Sequence, residues 1–179
     1  MGLRLYILLS LLVSYNVSGQ TIYKADNGKV KFFSDALFED IEAVTKKATA
    51  ALNASTGDVA VLIPIKSFVF KKSLMQEHFN ENYLESDKYP EATFKGKIAD
   101  INVPKPGEKK QVIIPGMLTI HGVPQSREIT VTLETKTDGS VWVTGNFEVK
   151  VADHKVKIPS IVFQNIAELV EVTFEILLK

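Results

Sequence analysis

The chain contains no cysteine. Disulfides, thiolate metal sites, a cysteine nucleophile and a lipidated N-terminal cysteine are therefore all excluded. It has no net charge: 21 basic residues balance 21 acidic ones. No basic field is available to recognise nucleic acid or an anionic membrane. Histidine is scarce, with only His78, His121 and His154, and none of them falls in an H-x-x-H or H-E-x-x-H spacing. The sequence has neither a G-x-S-x-G nucleophile elbow nor a glycine-rich phosphate loop. No catalytic residue and no metal ligand is predicted. Neighbouring carboxylates such as Glu39 and Asp40 point to opposite sides of an extended chain and read as solvated surface.

Long apolar runs are also missing, with one exception at the N-terminus. Met1 to Gly19 has Arg4 as its only charge, an apolar centre from Leu5 to Val13, and the small-residue site Val17-Ser18-Gly19. That is the layout of a Sec-type signal peptide. The apolar run is short of the ~20 residues a membrane anchor needs. The expectation is a cleaved leader at 1–19 and a secreted, periplasmic domain at 20–179, without stable membrane insertion. Without Arg4, 20 basic residues face 21 acidic ones. A mature chain of this length makes one domain.

What is present is alternation. Val30 and Phe32 alternate with Lys29 and Lys31, after a turn signal at Asn27-Gly28. Residues 38–54 read as an irregular segment leading into a strand. Asp58 to Ile65 is a strand buried on both faces or facing a cavity, with Pro64 at an edge or bulge. Ala92, Phe94, Gly96 and Ile98 share one face of a further strand. Gln111 to Gly122 carries Leu118 and Ile120 on one face, with a bulge or kink at Pro115-Gly116 and a turn at Val123-Pro124. Ile129, Val131 and Leu133 alternate with polar residues. Asp138-Gly139 marks a hairpin. Val141 to Val151 and Leu169 to Leu178 alternate cleanly, with Ile158-Pro159 interrupting between them. About eight antiparallel strands, each with one apolar face, make a closed barrel or a sandwich.

One stretch breaks this rhythm, Ser67 to Gly96. Ser73 and Gln76 have capping-box spacing. Met75, Phe79 and Tyr83 recur at helical spacing, beside Leu74. A short helix over 73–83 is predicted, placed as a lid or plug on the β-structure. Phe68, Phe70, Met75, Phe79, Phe94, Met117, Phe147 and Phe174 can face one interior. Two readings are open. These side chains fill a core, as close packing favours, or some of them line an apolar tunnel. Gly96, Gly116 and Gly145 on the inward faces fit either bulges and barrel curvature or cavity space.

The segments Ile65–Phe68 (IKSF), Lys72–Gly96 (KSLMQEHFNENYLESDKYPEATFKG) and Gly116–Val123 (GMLTIHGV) resemble the YceI-like family of secreted polyisoprenoid-binding proteins. A looser match continues through Asp153–Pro159 and the terminal strand. The resemblance implies an all-β, lipocalin-like closed eight-stranded antiparallel barrel with one short helix. It further implies a non-enzymatic protein that holds an amphiphilic lipid, an isoprenoid or a quinone, with no other cofactor. Ile98, Leu118 and Ile120 join the aromatic and methionine residues above as the candidate lining. The competing readings are a filled barrel acting as an envelope-stress or interaction module, and a hydrolase acting on lipid or glycan headgroups. Oligomeric state is left open.

Overall fold

The computed structural model describes residues 21–35, 40–157 and 167–179. The expected leader at 1–19 and the Ile158-Pro159 interruption lie outside the described residues. Among the described residues nine strands run β1 Ile22–Ser34, β2 Ile41–Asn53, β3 Asp58–Pro64, β4 Val69–Phe70, β5 Glu91–Lys97, β6 Lys109–Ile120, β7 Val123–Thr135, β8 Val141–Lys150 and β9 Leu169–Leu178. Hydrogen bonding follows the order β1-β9-β8-β7-β6-β5-β3-β2, and β2 pairs back to β1. Eight antiparallel strands thus close a barrel. The two-residue β4 adds to β2 beyond the end of β3, pairing Phe70 with Ala43 and Val69 with Val44. Closure removes the free sheet edges that would otherwise invite aggregation.

The clean alternations form strands as expected. Ile129, Val131 and Leu133 on β7 point inward and are buried, as are Ile176 and Leu178 on β9. Four local readings need correction. Asn27-Gly28 is not a turn but lies within a single 13-residue β1, where the register with β2 shifts at Gly28. The same irregularity hides β2 in the sequence. Lys46 and Lys47 are both exposed while Thr45 and Ala48 are both buried, so a bulge interrupts the period of two. Pro115-Gly116 makes no bulge: β6 pairs with β7 in unbroken register from Lys109↔Glu134 to Ile120↔Val123. The turn falls at His121-Gly122, whose φ values of 52° and 70° suit the tight hairpin geometry in which both central residues are left-handed. Val123 and Pro124 already belong to β7.

The inward glycines are neither bulges nor empty space. Gly96 pairs with Gly116 across β5 and β6. A Cβ on Gly116 would lie 2.6 Å from Cζ of Phe94, and one on Gly145 would lie 2.6 Å from Cζ of Phe174. The two rings lie over the bare backbone of neighbouring strands and fill the barrel there.

The helix is shorter than its spacing suggests. α1 spans Ser73–His78 and passes into a wider π-type turn over Phe79–Tyr83. The capping box does not form, because Lys72 takes the N-cap position and Ser73 is already helical. Gln76 Oε1 instead accepts the backbone N–H of Phe70 at 3.2 Å, which ties α1 to β4. A 3-10 turn at Ile65–Ser67 leads into this flap. It is fixed by a chain of hydroxyls: Thr45 Oγ1 bonds Ser67 Oγ at 2.7 Å, and Ser67 Oγ donates to the Pro64 carbonyl at 2.5 Å. Thr45 is 1% exposed and also accepts the N–H of Lys47 at the bulge. Thr45→Val keeps the shape but strands these groups. It should lower stability by about 1–2 kcal/mol in urea denaturation, with an unchanged slope.

Candidate functional site

The flap covers one end of the barrel. Along Phe68-Val69-Phe70, the two phenylalanines turn inward and Val69 outward, as an extended chain requires. On α1 and its π-type turn, Met75, Phe79 and Tyr83 face the barrel. Phe79 stacks on Phe32 of β1 with ring centroids 5.4 Å apart, and meets Phe70 at 5.0 Å and Phe68 at 5.8 Å. Four aromatic rings therefore close the space between flap and barrel. The base of the flap is clamped to the β6–β7 hairpin. There His121 Nε2 lies 2.7 Å from the Glu85 carboxylate, and the Tyr89 ring packs edge-on to His121. The hydrogen bond from His121 holds the Glu85 carboxyl below the ordinary carboxylate range, with Lys88 adding to it.

Beneath the flap lies a cavity of about 460 Å³. This falls within the ~300–1,000 Å³ typical of small-molecule sites. A narrower space of about 100 Å³ adjoins it, and Val30, Ile63, Ala92, Leu118, Phe147 and Val172 wall both. Together they run along the barrel interior. β3 thus presents one face to a cavity rather than being buried on both faces: Val59 and Val61 line the narrow part and Ile63 lines both.

The expected lining residues divide along this axis. Phe68, Phe70, Met75, Phe79 and Ile120 wall the wide part, and Leu118 and Phe147 sit where the two meet. Phe94, Ile98 and Phe174 wall the narrow part. Met117 is a correction. It is 44% exposed on the outer surface of β6, opposite Lys95, because a strand sends the neighbour of inward Leu118 to the other face. The structure adds residues to the wall. Phe32, Val170, Val172 and Tyr83 belonged to patterns already legible in the sequence, whereas His154 did not.

Among the described residues the polar groups on this wall are few: Ser34, His78, Tyr83 and His154. Ser34 Oγ is engaged by the N–H of Ala167. Burial raises the pKa of the Tyr83 phenol, which stays neutral. His154 ends a 3-10 turn, Val151–His154, that closes the barrel beside the hairpin. β7 pins this turn through three side chains or carbonyls. Gln125 donates to the Asp153 carbonyl at 2.7 Å, Arg127 donates to the Asp153 carboxylate at 2.6 Å, and His154 Nδ1 donates to the Val123 carbonyl at 2.9 Å. Among the described residues no group of three His, Asp or Glu side chains is placed to hold a metal ion, and no helix is long and apolar enough to cross a membrane.

Burial pushes the His154 pKa below its usual 6.5, and nearby Arg127 adds to this, against the opposing pull of the Val123 and Ile120 carbonyls and Asp153. In the unfolded chain the group binds its proton more readily than in the fold. Between the folded and unfolded pKa values the unfolded state therefore carries more protons, and stability rises with pH. His154 should make the protein lose stability as pH falls below about 6.5, and His154→Gln should flatten that part of the profile. Urea midpoints measured from pH 7.5 to 5 check this.

The chain matches the YceI-like domain over residues 22–178. No curated protein matches it. Several solved structures share its fold. A polyisoprenoid binding domain from Saccharophagus degradans superposes with a TM-score of 0.77 at 15% identity, covering 90% of this chain and 99% of that one. BcnA of Burkholderia cenocepacia gives 0.69 at 22% identity, covering 84% and 95%. The YCEI protein of Campylobacter jejuni gives 0.55 at 18% identity, covering 98% and 97%.

Proposed function

The chain belongs to the YceI-like family, and from that premise we propose that it is a secreted, periplasmic binding protein for an amphiphilic lipid with a polyisoprenoid tail. The observation that carries this reading is the apolar cavity of about 460 Å³ under the aromatic flap. The description of the Saccharophagus degradans neighbour as polyisoprenoid binding supports the choice of ligand class.

The mechanism is sequestration. The barrel wall replaces water around the tail, and no covalent step is involved. Burial yields about 0.8 kcal/mol per methylene, so roughly 4 kcal/mol per five-carbon unit. Association costs roughly 4–15 kcal/mol. One unit does not offset that cost, and a tail of several units does. The cavity therefore suits a multi-unit chain better than a small monoterpene. Adaptable Met75 and the phenylalanines match an irregular, branched chain. The leader-like 1–19 segment supports secretion, and protein sequencing of material from the producing cell should find Gln20 at its N-terminus.

Lipid-stripped, refolded protein should take up prenyl-chain ligands at one per chain, followed by displacement of a polarity-sensitive fluorophore. Failure of every prenyl and fatty probe to displace the fluorophore would leave the barrel without a carrier role.

A further inference from the structure

The wall of the cavity is apolar apart from a few side chains, and one of these carries an unused polar atom. His154 is 0% exposed, and its Nε2 is buried with no hydrogen-bond partner among the described residues. Buried polar atoms are nearly always paired, so an orphan at a cavity wall asks for an explanation. The hydrogen bonding of the other ring nitrogen says what would pair with it. Nδ1 lies 2.9 Å from the Val123 carbonyl oxygen, which can only accept, so Nδ1 carries the proton. In a neutral imidazole the second nitrogen then has no proton and offers a lone pair. Burial favours this neutral form.

We infer that His154 Nε2 accepts a hydrogen bond from the polar end of the bound lipid, so that the cavity selects a tail carrying a neutral hydroxyl donor, a long-chain alcohol, over one ending in an ether, ester or carbonyl. This rests on the carrier reading above and names the headgroup it takes. A group with only acceptor oxygens faces a lone pair here and leaves both atoms unpaired. A phosphate or carboxylate would bring its charge against an apolar wall and a lone pair, with no lysine or arginine among the described residues of that wall to neutralise it. Arg127, the nearest guanidinium to the turn, is already engaged by Asp153 at 2.6 Å.

The location supports the assignment. His154 sits at the closed end of the turn that β7 holds by Gln125 and Arg127, so its ring orientation is fixed before a ligand arrives. The ring is fully covered as it stands, so a hydroxyl reaches it only by displacing the neighbouring wall. Of the neighbouring wall residues, Val151 is held by its N–H on the Glu168 carbonyl at 3.2 Å, and Val156, at the exit of the 3-10 turn, by a longer bond to the Val151 carbonyl at 3.4 Å.

The test compares farnesol with farnesyl methyl ether, which share a tail and differ in the donor. Wild-type protein should bind the alcohol roughly three- to tenfold more tightly, as one net hydrogen bond gives. His154→Leu should bind both and lose the preference. In parallel, ¹⁵N spectra of wild-type protein should show His154 Nε2 unprotonated, with a resonance that moves on saturation with farnesol and not with the ether. Equal binding of the two probes by wild type, or a preference that survives in His154→Leu, overturns the headgroup assignment and leaves the carrier reading standing. If neither probe binds, both fall. Should the variant not fold, a His154 resonance unmoved by saturating farnesol is enough to overturn the assignment.

Discussion

Ala92→Phe is expected to cut uptake of a long prenyl chain by at least tenfold while leaving the stability of the fold within about 1 kcal/mol. Ala92 lies on β5, 7% exposed, opposite Ile63 of β3, and lines both the wide and the narrow parts of the cavity. A benzyl group added to a close-packed core normally costs 1–3 kcal/mol, because neighbours must leave their rotamers. Here the new ring enters open space. The ring also denies the ligand on the order of 100 Å² of wall, which at about 25 cal/mol per Å² is ~2.5 kcal/mol of lost burial. Urea denaturation together with fluorophore displacement measures the two effects on the same sample. Strong destabilisation would mean that side chains already fill the barrel at Ala92.

Gly116→Ala should do the opposite, costing about 3 kcal/mol of stability for one methyl group. The new Cβ would stand 2.5 Å from the Lys95 carbonyl oxygen and 2.8 Å from the Gly96 Cα, both backbone atoms that cannot swing away. It would also meet the Phe94 ring at 2.6 Å. Relief requires β5 and β6 to separate where Gly96 and Gly116 pair. A loss of that size lowers the melting temperature by roughly 6–12 °C in a chain of this length. Melting temperatures of Gly116→Ala and Ala92→Phe side by side would map where the interior is filled and where it is open. A Gly116→Ala protein as stable as the parent would contradict the packing of Phe94 against bare backbone.

Much of the barrel was legible because the period of two survives in most strands. Ile129, Val131 and Leu133 on β7, and Val170, Val172, Phe174, Ile176 and Leu178 on β9, are read straight from the sequence and point inward. Where a bulge inserts a residue, the signal fails: exposed Lys46 and Lys47 break the pattern of β2, and its inward face could not be followed. Met117 was misplaced for a related reason. It stands beside Leu118 in a run where apolar type alone does not tell the two faces apart, and only the register with β5 and β7 does. The capping box failed by one residue, since Gln76 found a better use on the Phe70 N–H. His154 carried no sequence signal at all. Its burial comes from a turn folded back onto β7, a contact between positions 31 apart in the chain.

The most direct measurement of the central claim is mass spectrometry of an organic extract of the protein, purified without detergent from the cell that makes it. The expected result is close to one lipid per chain with a branched prenyl tail, and the same stoichiometry after stripping and reloading. An empty extract from a protein that also stays empty when prenyl lipids are supplied would contradict it.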